Sequence, residues 1–362
     1  KYKSQQKILC ITFTRKARQE MINRLSKMDC DNIDVETFNS FCEKYLRQNH
    51  AKIYDKNYKV IDFKKKIQLI SKILQELDTP IDKAVDMYYS KKKIYSSDRR
   101  TLFIRFINDI FTLLDYQRNN YLSRQELFNL IDSNYSQSSI LIKNIIVKIK
   151  QYKTQLGYRD FTDQIIHVIE FFKKNKNSIP IYNHILVDEY QDINTLQFEL
   201  INLLNPDNLF CVGDPRQSIY GWRSSKVEFI LDFEKLFNDS VVLQLSTNYR
   251  SQKSIVDVCN KMINTMKLPD LQVSNGDEGS VKLIKHGSED SEAIFITQSV
   301  LSMKNERKNI FVLSRTNKQI ENIAKLFDMN NIKYLKRTIE ESKQNIDATS
   351  DQVTLSTIHA IK

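Results

Sequence analysis

The sequence predicts an α/β fold, with two parallel-sheet domains and an all-helical insertion in the first of them. Six short apolar stretches each end in a polar cluster, and helical patterns follow several of them. Near-continuous apolar strands that alternate with helices are typical of parallel sheets covered on both faces. Ligands of such sheets gather at the carboxyl ends of the strands, where these clusters fall. The stretches are KILCITFT (7–14), HILVDEYQD (184–192), LFCVGDPRQ (209–217), VVLQLSTNYR (241–250), NIFVLSRTN (309–317) and VTLSTIHA (353–360).

An amphipathic helix follows the first stretch, because Ala17, Met21, Ile22 and Leu25 fall on one helical face. Between residues 43 and 155 the strand pattern stops, and apolar stripes at helical spacing indicate a helical subdomain. The stripes include Phe63, Ile67, Ile70, Ile73, Leu74 and Leu77, then Leu102, Phe103, Phe106, Ile107, Ile110 and Leu114, then Ile145, Ile146 and Ile149.

Four segments follow from this organisation. We expect residues 1–42 to form the N-terminal part of the first parallel-sheet domain and 43–155 to form the helical insertion. The remainder of the first domain covers 156–237, where a helix is expected at 226–237. The second domain covers 238–362 and begins with a strand at 241–245.

Composition limits the class of protein. A length of 362 residues exceeds one ordinary core. The net charge of +11 and the pI of about 9.2 indicate a polyanionic partner such as nucleic acid, with a general compositional bias as an equally weighted alternative. Five scattered cysteines without CxxC pairs indicate a reducing compartment. Without an apolar run of about 18 residues or a signal peptide, we expect a cytoplasmic protein that does not enter a membrane.

Two acids follow the apolar stretch ILV at residues 185–187. A carboxylate at a strand tip, Asp188, can bind hydrated Mg²⁺, and an adjacent acid, Glu189, can accept a proton from an attacking water. An isolated Asp-Glu pair is more often a solvated strand end, so the interpretation depends on other motifs.

The stretch VGDPRQSIYGWRSS (212–225) supplies such a motif. Gln217 can sense a terminal phosphate or position the hydrolytic water, and Tyr220 and Trp222 can stack on bases. The alternative, that both rings pack into a loop core, carries about equal weight. In STNYRS (246–251), Arg250 can neutralise charge on a transferred phosphoryl group.

The order of these motifs closely resembles the UvrD/Rep/PcrA-type superfamily 1 DNA helicases. Seven collinear matches carry the resemblance, which spans most of the chain and is weakest in the helical insertion. The matches are CITFTRKARQEM, VETFNSFC, ILVDEYQD, VGDPRQSIYGWRSS, LSTNYRS, VLSRTN and VTLSTIHAIK. The resemblance implies two RecA-like domains of the P-loop NTPase type. It also implies an ATP-dependent motor that moves on single-stranded DNA, typically 3′ to 5′, and that acts at single/double-strand junctions.

The resemblance also implies residue roles. Asp188 would coordinate Mg²⁺, Glu189 would be the catalytic base, and Gln217 would contact the γ-phosphate of ATP. Tyr249 would stack on adenine and Arg250 would be an arginine finger. The residues implied to line the DNA path are Phe13, Thr37, Asn39, Tyr220, Trp222, Arg223 and His359. Repair and replication restart are the pathways implied, in the nucleoid or, in a eukaryote, the nucleus.

The sequence departs from the family pattern in places. Asn39 stands where the family commonly has His, which puts its DNA contact in doubt, and Ser224-Ser225 replaces a common Gly-Ala. No G-x-x-x-x-G-K-[ST] phosphate loop occurs, although ATP binding requires such a loop. We expect it upstream of Lys1 and the last motifs downstream of HAIK, so that the 362 residues alone would be an inactive internal fragment.

Two alternatives stay open at this stage. The chain could be a non-hydrolysing DNA-binding or interaction module that lost its phosphate loop, or the motor subunit of a nuclease-helicase complex. The presence of both Glu189 and Arg250, which a pure binder does not need, favours a motor.

Overall fold

Two units make up the chain in the computed structural model, Lys1–Val241 (unit 1) and Val242–Lys362 (unit 2). The structure describes residues 7–30, 33–134, 138–274, 276–303, 307–337 and 351–362. It confirms the predicted mixture of helices and parallel sheets. Among the described residues, no helix has both the length and the apolar character needed to cross a bilayer.

Unit 1 begins with strands and helices, and threonines cap the N-termini of the first two helices. The Thr14 hydroxyl accepts the Ala17 amide at 3.1 Å, and the Thr37 hydroxyl accepts the Ser40 amide at 3.1 Å. Such caps satisfy amides that have no partner within the helix. The elements are β1 (Ile8–Thr12), α1 (Arg15–Ser26), β2 (Ile33–Thr37), α2 (Phe38–Gln48) and α3 (His50–Ile53).

A cluster of helices follows and has its own hydrophobic core, which we call the helical cluster. Leu74, Phe106, Ile110, Ile131 and Ile145 are among its fully buried members. Burying one such side chain contributes about 1.5–3 kcal/mol. The elements are β3 (Lys59–Val60), α4 (Phe63–Glu76), α5 (Ile81–Tyr88), α6 (Lys91–Tyr95), α7 (Arg99–Asn119), α8 (Arg124–Asn134), α9 (Ser139–Leu156) and β4 (Tyr158–Arg159).

The chain enters and leaves the helical cluster at one place. Strands β3 and β4 pair in parallel, with Lys59 opposite Tyr158. Gly157 ends α9 with a left-handed φ of 64°, and a Cβ there would meet the Asn57 carbonyl oxygen at 2.6 Å. Only glycine fits this turn without strain.

The chain then completes a four-stranded parallel sheet of order β2-β1-β5-β6. Cys10 of β1 lies opposite both Val35 of β2 and Leu186 of β5. Because all four strands are parallel, their carboxyl ends meet at one edge of the sheet. The added elements are α10 (Phe161–Lys174), β5 (His184–Val187), α11 (Thr195–Leu204), β6 (Asn208–Cys211), α12 (Glu228–Leu231) and α13 (Phe233–Leu236).

A buried network of charges joins the helical cluster to the start of α10. The Arg118 guanidinium of α7 contacts Asp160 at 3.0 Å, Asp163 at 2.6 Å and Asp115 at 2.5 Å. The Lys153 ammonium of α9 contacts Asp160 at 2.5 Å and also pairs with Asp163. Burial favours the neutral form of Asp160, but Arg118 and Lys153 hold its pKa well below the usual range.

Unit 2 contains a three-stranded parallel sheet of order β10-β11-β9, against which two helices pack. Phe327 and Leu355 are fully buried between them. The elements are β7 (Thr247–Asn248), α14 (Lys253–Ile263), β8 (Gln272–Val273), α15 (Glu289–Ser302), β9 (Phe311–Ser314), α16 (Asn317–Met329), β10 (Tyr334–Arg337), β11 (Val353–Thr357) and α17 (Ile358–Ile361).

Two local predictions differ from the structure, and two strands of the larger sheets were missed. Residues 241–245 are not a strand, and Leu243 is 83% exposed, because no described strand pairs with them. An apolar run forms a strand only when a neighbour supplies hydrogen bonds. The helix expected at 226–237 is two short helices separated at Asp232. Strands β2 and β10 were not predicted from the sequence, since charged residues interrupt their apolar pattern.

Candidate active site

The acids Asp188 and Glu189 lie at the carboxyl end of β5. The Asp188 amide donates to the Ile11 carbonyl at 2.9 Å, and its carboxylate accepts the Glu189 amide at 3.0 Å. Burial, reinforced by the charge of Glu189, raises the pKa of Asp188. A divalent cation would relieve this cost, because it favours the charged carboxylate.

The donor set fits a hydrated magnesium ion. Among the described residues, no group of three or more His, Cys, Asp or Glu side chains is arranged to hold a metal. Mg²⁺ commonly keeps several waters and takes only one or two carboxylates. Asp188 can supply one of these oxygens, with Glu189 beside it.

Glu189 has an unusual backbone conformation. Its φ of 54° and ψ of 41° lie in the left-handed region, which an L-residue adopts at a cost of about 1–2 kcal/mol. The Tyr190 amide donates to the Val212 carbonyl at 2.9 Å and so fixes the residue that follows. Strain of this kind is often found at functional sites, where the surrounding contacts maintain it.

Gln191 connects two strand tips. Its side-chain Nε2 donates to the Glu189 carboxylate at 2.5 Å, and its Oε1 accepts the Asp214 amide at 3.0 Å. The side chain is fully buried. Gly213 lies against it, and a Cβ at that position would meet Gln191 Oε1 at 2.5 Å. Sequence reasoning did not single out Gln191, although its place within DEYQD was a signal.

Gln217 lies on the turn that follows β6. Its Nε2 donates to the Asp214 carboxylate at 3.0 Å, and its amide donates to the Asp214 carbonyl at 2.9 Å. Asp214 therefore contacts Gln217 on one side and Gln191 on the other. Through Gln191 and Asp214, Gln217 belongs to the same hydrogen-bonded assembly as Glu189.

The aromatic residues at 13, 220 and 222 form a continuous stack with an arginine. The rings of Phe13 and Tyr220 are 5.9 Å apart with an interplanar angle of 15°. The Arg223 guanidinium lies 5.3 Å from the Tyr220 ring and 4.6 Å from the Trp222 ring. Tyr220 is 8% exposed and Trp222 is 50% exposed. Only Trp222 of this pair presents a large open surface, since Tyr220 is packed.

A groove of about 330 Å³ runs beside this stack. Phe13, Trp222 and Arg223 form one wall, and Tyr116 and Asn119 of α7 form part of the other. The Asn120 side chain donates to the Ser224 hydroxyl at 3.2 Å and fixes the end of α7 to this loop. The helical cluster therefore contributes a wall to the groove.

Thr37 and Asn39 already have protein partners. The Thr37 hydroxyl caps α2. The Asn39 side chain donates to the Phe161 carbonyl at 2.7 Å and to Gln164 Oε1 at 3.1 Å. Neither residue lines the groove.

The remaining candidate residues lie in unit 2. Tyr249 is 75% exposed, and Arg250 is also exposed on the turn after β7. The Asn248 carboxamide oxygen accepts the amides of Arg250 at 2.9 Å and Ser251 at 2.8 Å, which fixes this turn. His359 lies in α17, directly after β11.

Models of known protein families match most of the chain. A family model described as the UvrD/REP helicase N-terminal domain matches residues 1–238. The chain belongs to the UvrD/REP helicase family. A second model, the UvrD-like helicase C-terminal domain, matches residues 243–343. Both models agree with the resemblance inferred from the motifs.

Curated relatives of the UvrD/REP family align with most of the chain. A probable DNA helicase II homolog of Mycoplasma capricolum is 30% identical over 331 residues, which cover 86% of this chain and 42% of that protein. The ATP-dependent DNA helicases PcrA of Leuconostoc citreum and Staphylococcus aureus are 27% and 29% identical and cover 91% and 90% of the chain. The chain spans less than half the length of these relatives.

Proposed function

We propose that the protein is an ATP-dependent DNA helicase or translocase that moves on single-stranded DNA in the 3′ to 5′ direction. One observation carries the proposal. The acids at the tip of β5 are joined through Gln191 and Asp214 to the loop that carries Gln217 and, further on, Tyr220, Trp222 and Arg223 of the aromatic stack. A motor needs such a connection between a phosphate-sensing group and a base-stacking surface.

We further propose two RecA-like domains, with segments 1–42 and 156–237 forming the first and 238–362 the second. The helical cluster, Lys59–Arg159 in the structure, would then be the main part of the insertion that the sequence places at 43–155. Residues 43–58 include the end of α2, whose Leu46 is buried in the core of the parallel sheet. The parallel sheets of units 1 and 2 and the separate core of the helical cluster support this assignment. Cytoplasmic location and a role at single/double-strand junctions are part of the same proposal.

In the nucleotide site, Asp188 would hold Mg²⁺, Glu189 would accept the proton of the attacking water, and Gln217 would contact the γ-phosphate. Mg²⁺ would supply charge neutralisation on the phosphates of ATP. Tyr249 would stack on adenine, and Arg250 would stabilise charge on the transferred phosphoryl group. The sequence contains no phosphate loop, so these residues account for only part of an ATP site.

On the DNA, the exposed Trp222 would stack on bases, with Phe13 and Arg223 beside it in the groove and the packed Tyr220 ring holding them in place. Every base has a stacking face, so such contacts do not depend on sequence. His359 would contact the same strand, and Thr37 and Asn39 would do so at a point outside the groove, where their side chains also have protein partners. The net charge of +11 favours binding of the phosphate backbone.

The proposal is tested on the natural gene product. We expect ATP hydrolysis that single-stranded DNA stimulates, and displacement of a labelled strand from a partial duplex with a 3′ tail but not with a 5′ tail. A rate of ATP hydrolysis that single-stranded DNA does not change would contradict the motor function. Displacement only from the 5′-tailed duplex would contradict the direction alone.

Trp222→Ala is expected to weaken single-strand binding about ten-fold, since one base-stacking contact contributes about 1–3 kcal/mol. Fluorescence anisotropy of a labelled oligonucleotide measures this loss, and nucleotide affinity should not change. Tyr95→Ala is the matched control, because Tyr95 is 88% exposed on α6 and lies outside the groove. Equal affinities of both variants and the wild type would argue against stacking on Trp222.

A further inference from the structure

Gln191, which has no catalytic or binding role in the proposed function, is held by hydrogen bonds on several sides. The amide orientation is fixed by its partners, since the Asp214 amide can only donate and the Glu189 carboxylate, when ionised, can only accept. The backbone carbonyl of Gln191 also accepts a hydrogen bond from the Ser218 hydroxyl at 3.2 Å. Three separate hydrogen bonds therefore connect this one residue to Glu189 and to the loop from Asp214 to Arg223.

We propose that Gln191 is a positioning residue that holds Glu189 in its left-handed conformation and keeps the loop from Asp214 to Arg223 in register with it. This inference rests on the proposed motor function. A displacement of Glu189 or Gln217 by the phosphates of ATP would then be transmitted to the base-stacking residues through the buried side-chain amide of Gln191.

The surroundings leave Gln191 no alternative position. Tyr190 and Gln191 are both fully buried, and the Tyr190 ring packs edge-on against Phe233 at 5.5 Å. Gly213 provides the space, because its missing Cβ would lie 2.5 Å from Gln191 Oε1 and 2.9 Å from the Ile230 methyl carbon. A methyl group at 213 would therefore push the Gln191 side chain away from both partners.

Three variants of the natural gene product separate the two ends of this connection. Gln191→Leu removes the side-chain hydrogen bonds with Glu189 and Asp214. Gln191→Glu keeps an acceptor for the Asp214 amide but loses the donor to Glu189. Gly213→Ala displaces Gln191 without changing it. Turnover and KM for ATP are measured with saturating DNA and normalised to the folded fraction, and single-strand affinity is measured by titration of the DNA.

We expect Gln191→Leu and Gly213→Ala to lower kcat by about 10²-fold, the loss typical of a misplacement of about 1 Å, with KM for ATP nearly unchanged. Gln191→Glu should lower kcat to a similar degree. A non-hydrolysable ATP analogue should change single-strand affinity in the wild type and in Gln191→Glu, but not in Gln191→Leu.

Gln164 offers a matched control. It is 2% exposed, its Nε2 donates to Glu43 at 2.7 Å and its Oε1 accepts Asn39 at 3.1 Å, and these partners differ from those of Gln191. Gln164→Leu should lower the melting temperature as Gln191→Leu does, while kcat stays close to that of the wild type.

The results distinguish this inference from the proposed function. A wild type without DNA-stimulated hydrolysis refutes the proposed function. If the wild type is active and the Gln191→Leu and Gln164→Leu variants have equal kcat, the positioning role is refuted. If the ATP analogue does not change the single-strand affinity of the wild type, the coupling between the two ends of the connection is refuted. If Gln191→Leu does not fold, Gly213→Ala replaces it in both tests, with the same expected loss of kcat and of the response to the analogue, and Gln191→Glu serves as a second test of kcat.

Discussion

Replacing Glu189 with Gln is expected to lower ATP turnover by about 10²- to 10⁴-fold, the usual contribution of a general base. Gln has nearly the same shape as Glu, so the buried hydrogen bond from Gln191 can be retained by its carbonyl oxygen. It cannot accept the proton of an attacking water. Steady-state hydrolysis by the natural gene product with saturating single-stranded DNA measures the loss, and the binding of ATP should persist.

Glu199→Gln is the control for this change. Glu199 is half-buried on α11 and pairs with Lys173, away from the tip of β5. Its replacement should leave turnover close to that of the wild type. If Glu189→Gln retained full turnover, the base would have to be another residue.

Arg118→Leu is expected to cost about 3–5 kcal/mol in the free energy of unfolding of unit 1, as for other buried ion pairs that lose one partner. The change removes the guanidinium from Asp115, Asp160 and Asp163 and leaves Lys153 paired with the last two. Urea denaturation followed by circular dichroism measures the loss. Arg99→Leu is the matched control, because Arg99 lies on the same helix and pairs with Asp82 and Asp86 at the surface. Exposed pairs contribute about 0–1 kcal/mol.

The pH dependence of the wild type follows from the same network. The folded pKa of Asp160 lies below its unfolded value, so this carboxylate contributes stability above about pH 4, the ordinary Asp value. The contribution disappears as the pH falls through the folded pKa. The stability difference between the wild type and Arg118→Leu should therefore narrow in acid. A difference that stays constant down to pH 2 would assign the loss to packing of the Arg118 side chain.

Local pattern was sufficient to predict most of the sheet in unit 1. Residues 8–12, 184–187 and 208–211 are strands because their apolar runs lie between partners that are also present in the chain. The run at 241–245 has an equally apolar pattern, yet it is not a strand. Sequence pattern shows what a segment can bury, whereas hydrogen bonding depends on which segment lies beside it.

The candidate site was predicted in part. The motifs that contain Asp188, Glu189 and Gln217 were recognised because strand tips in parallel sheets gather polar residues. The packing of Tyr220 was left open, since its spacing fits both an exposed and a buried ring. Gln191 stood inside a recognised motif, but its hydrogen bond with Asp214 and the pairing of Arg118 with Asp160 could not be foreseen, because contacts between residues distant in sequence leave no periodic signal.

The chain enters the helical cluster at β3 and leaves it at the neighbouring strand β4, so both connections of the cluster lie at one point. Neighbouring strands lie about 4.8 Å apart, so a short linker could replace the helical cluster without stretching the sheet. Excision would also remove Arg118 and Lys153. Asp160 and Asp163 at the start of α10 would then lose these cationic partners. A minimal single-sheet core would therefore need Asp160→Asn, which still caps the helix but carries no charge.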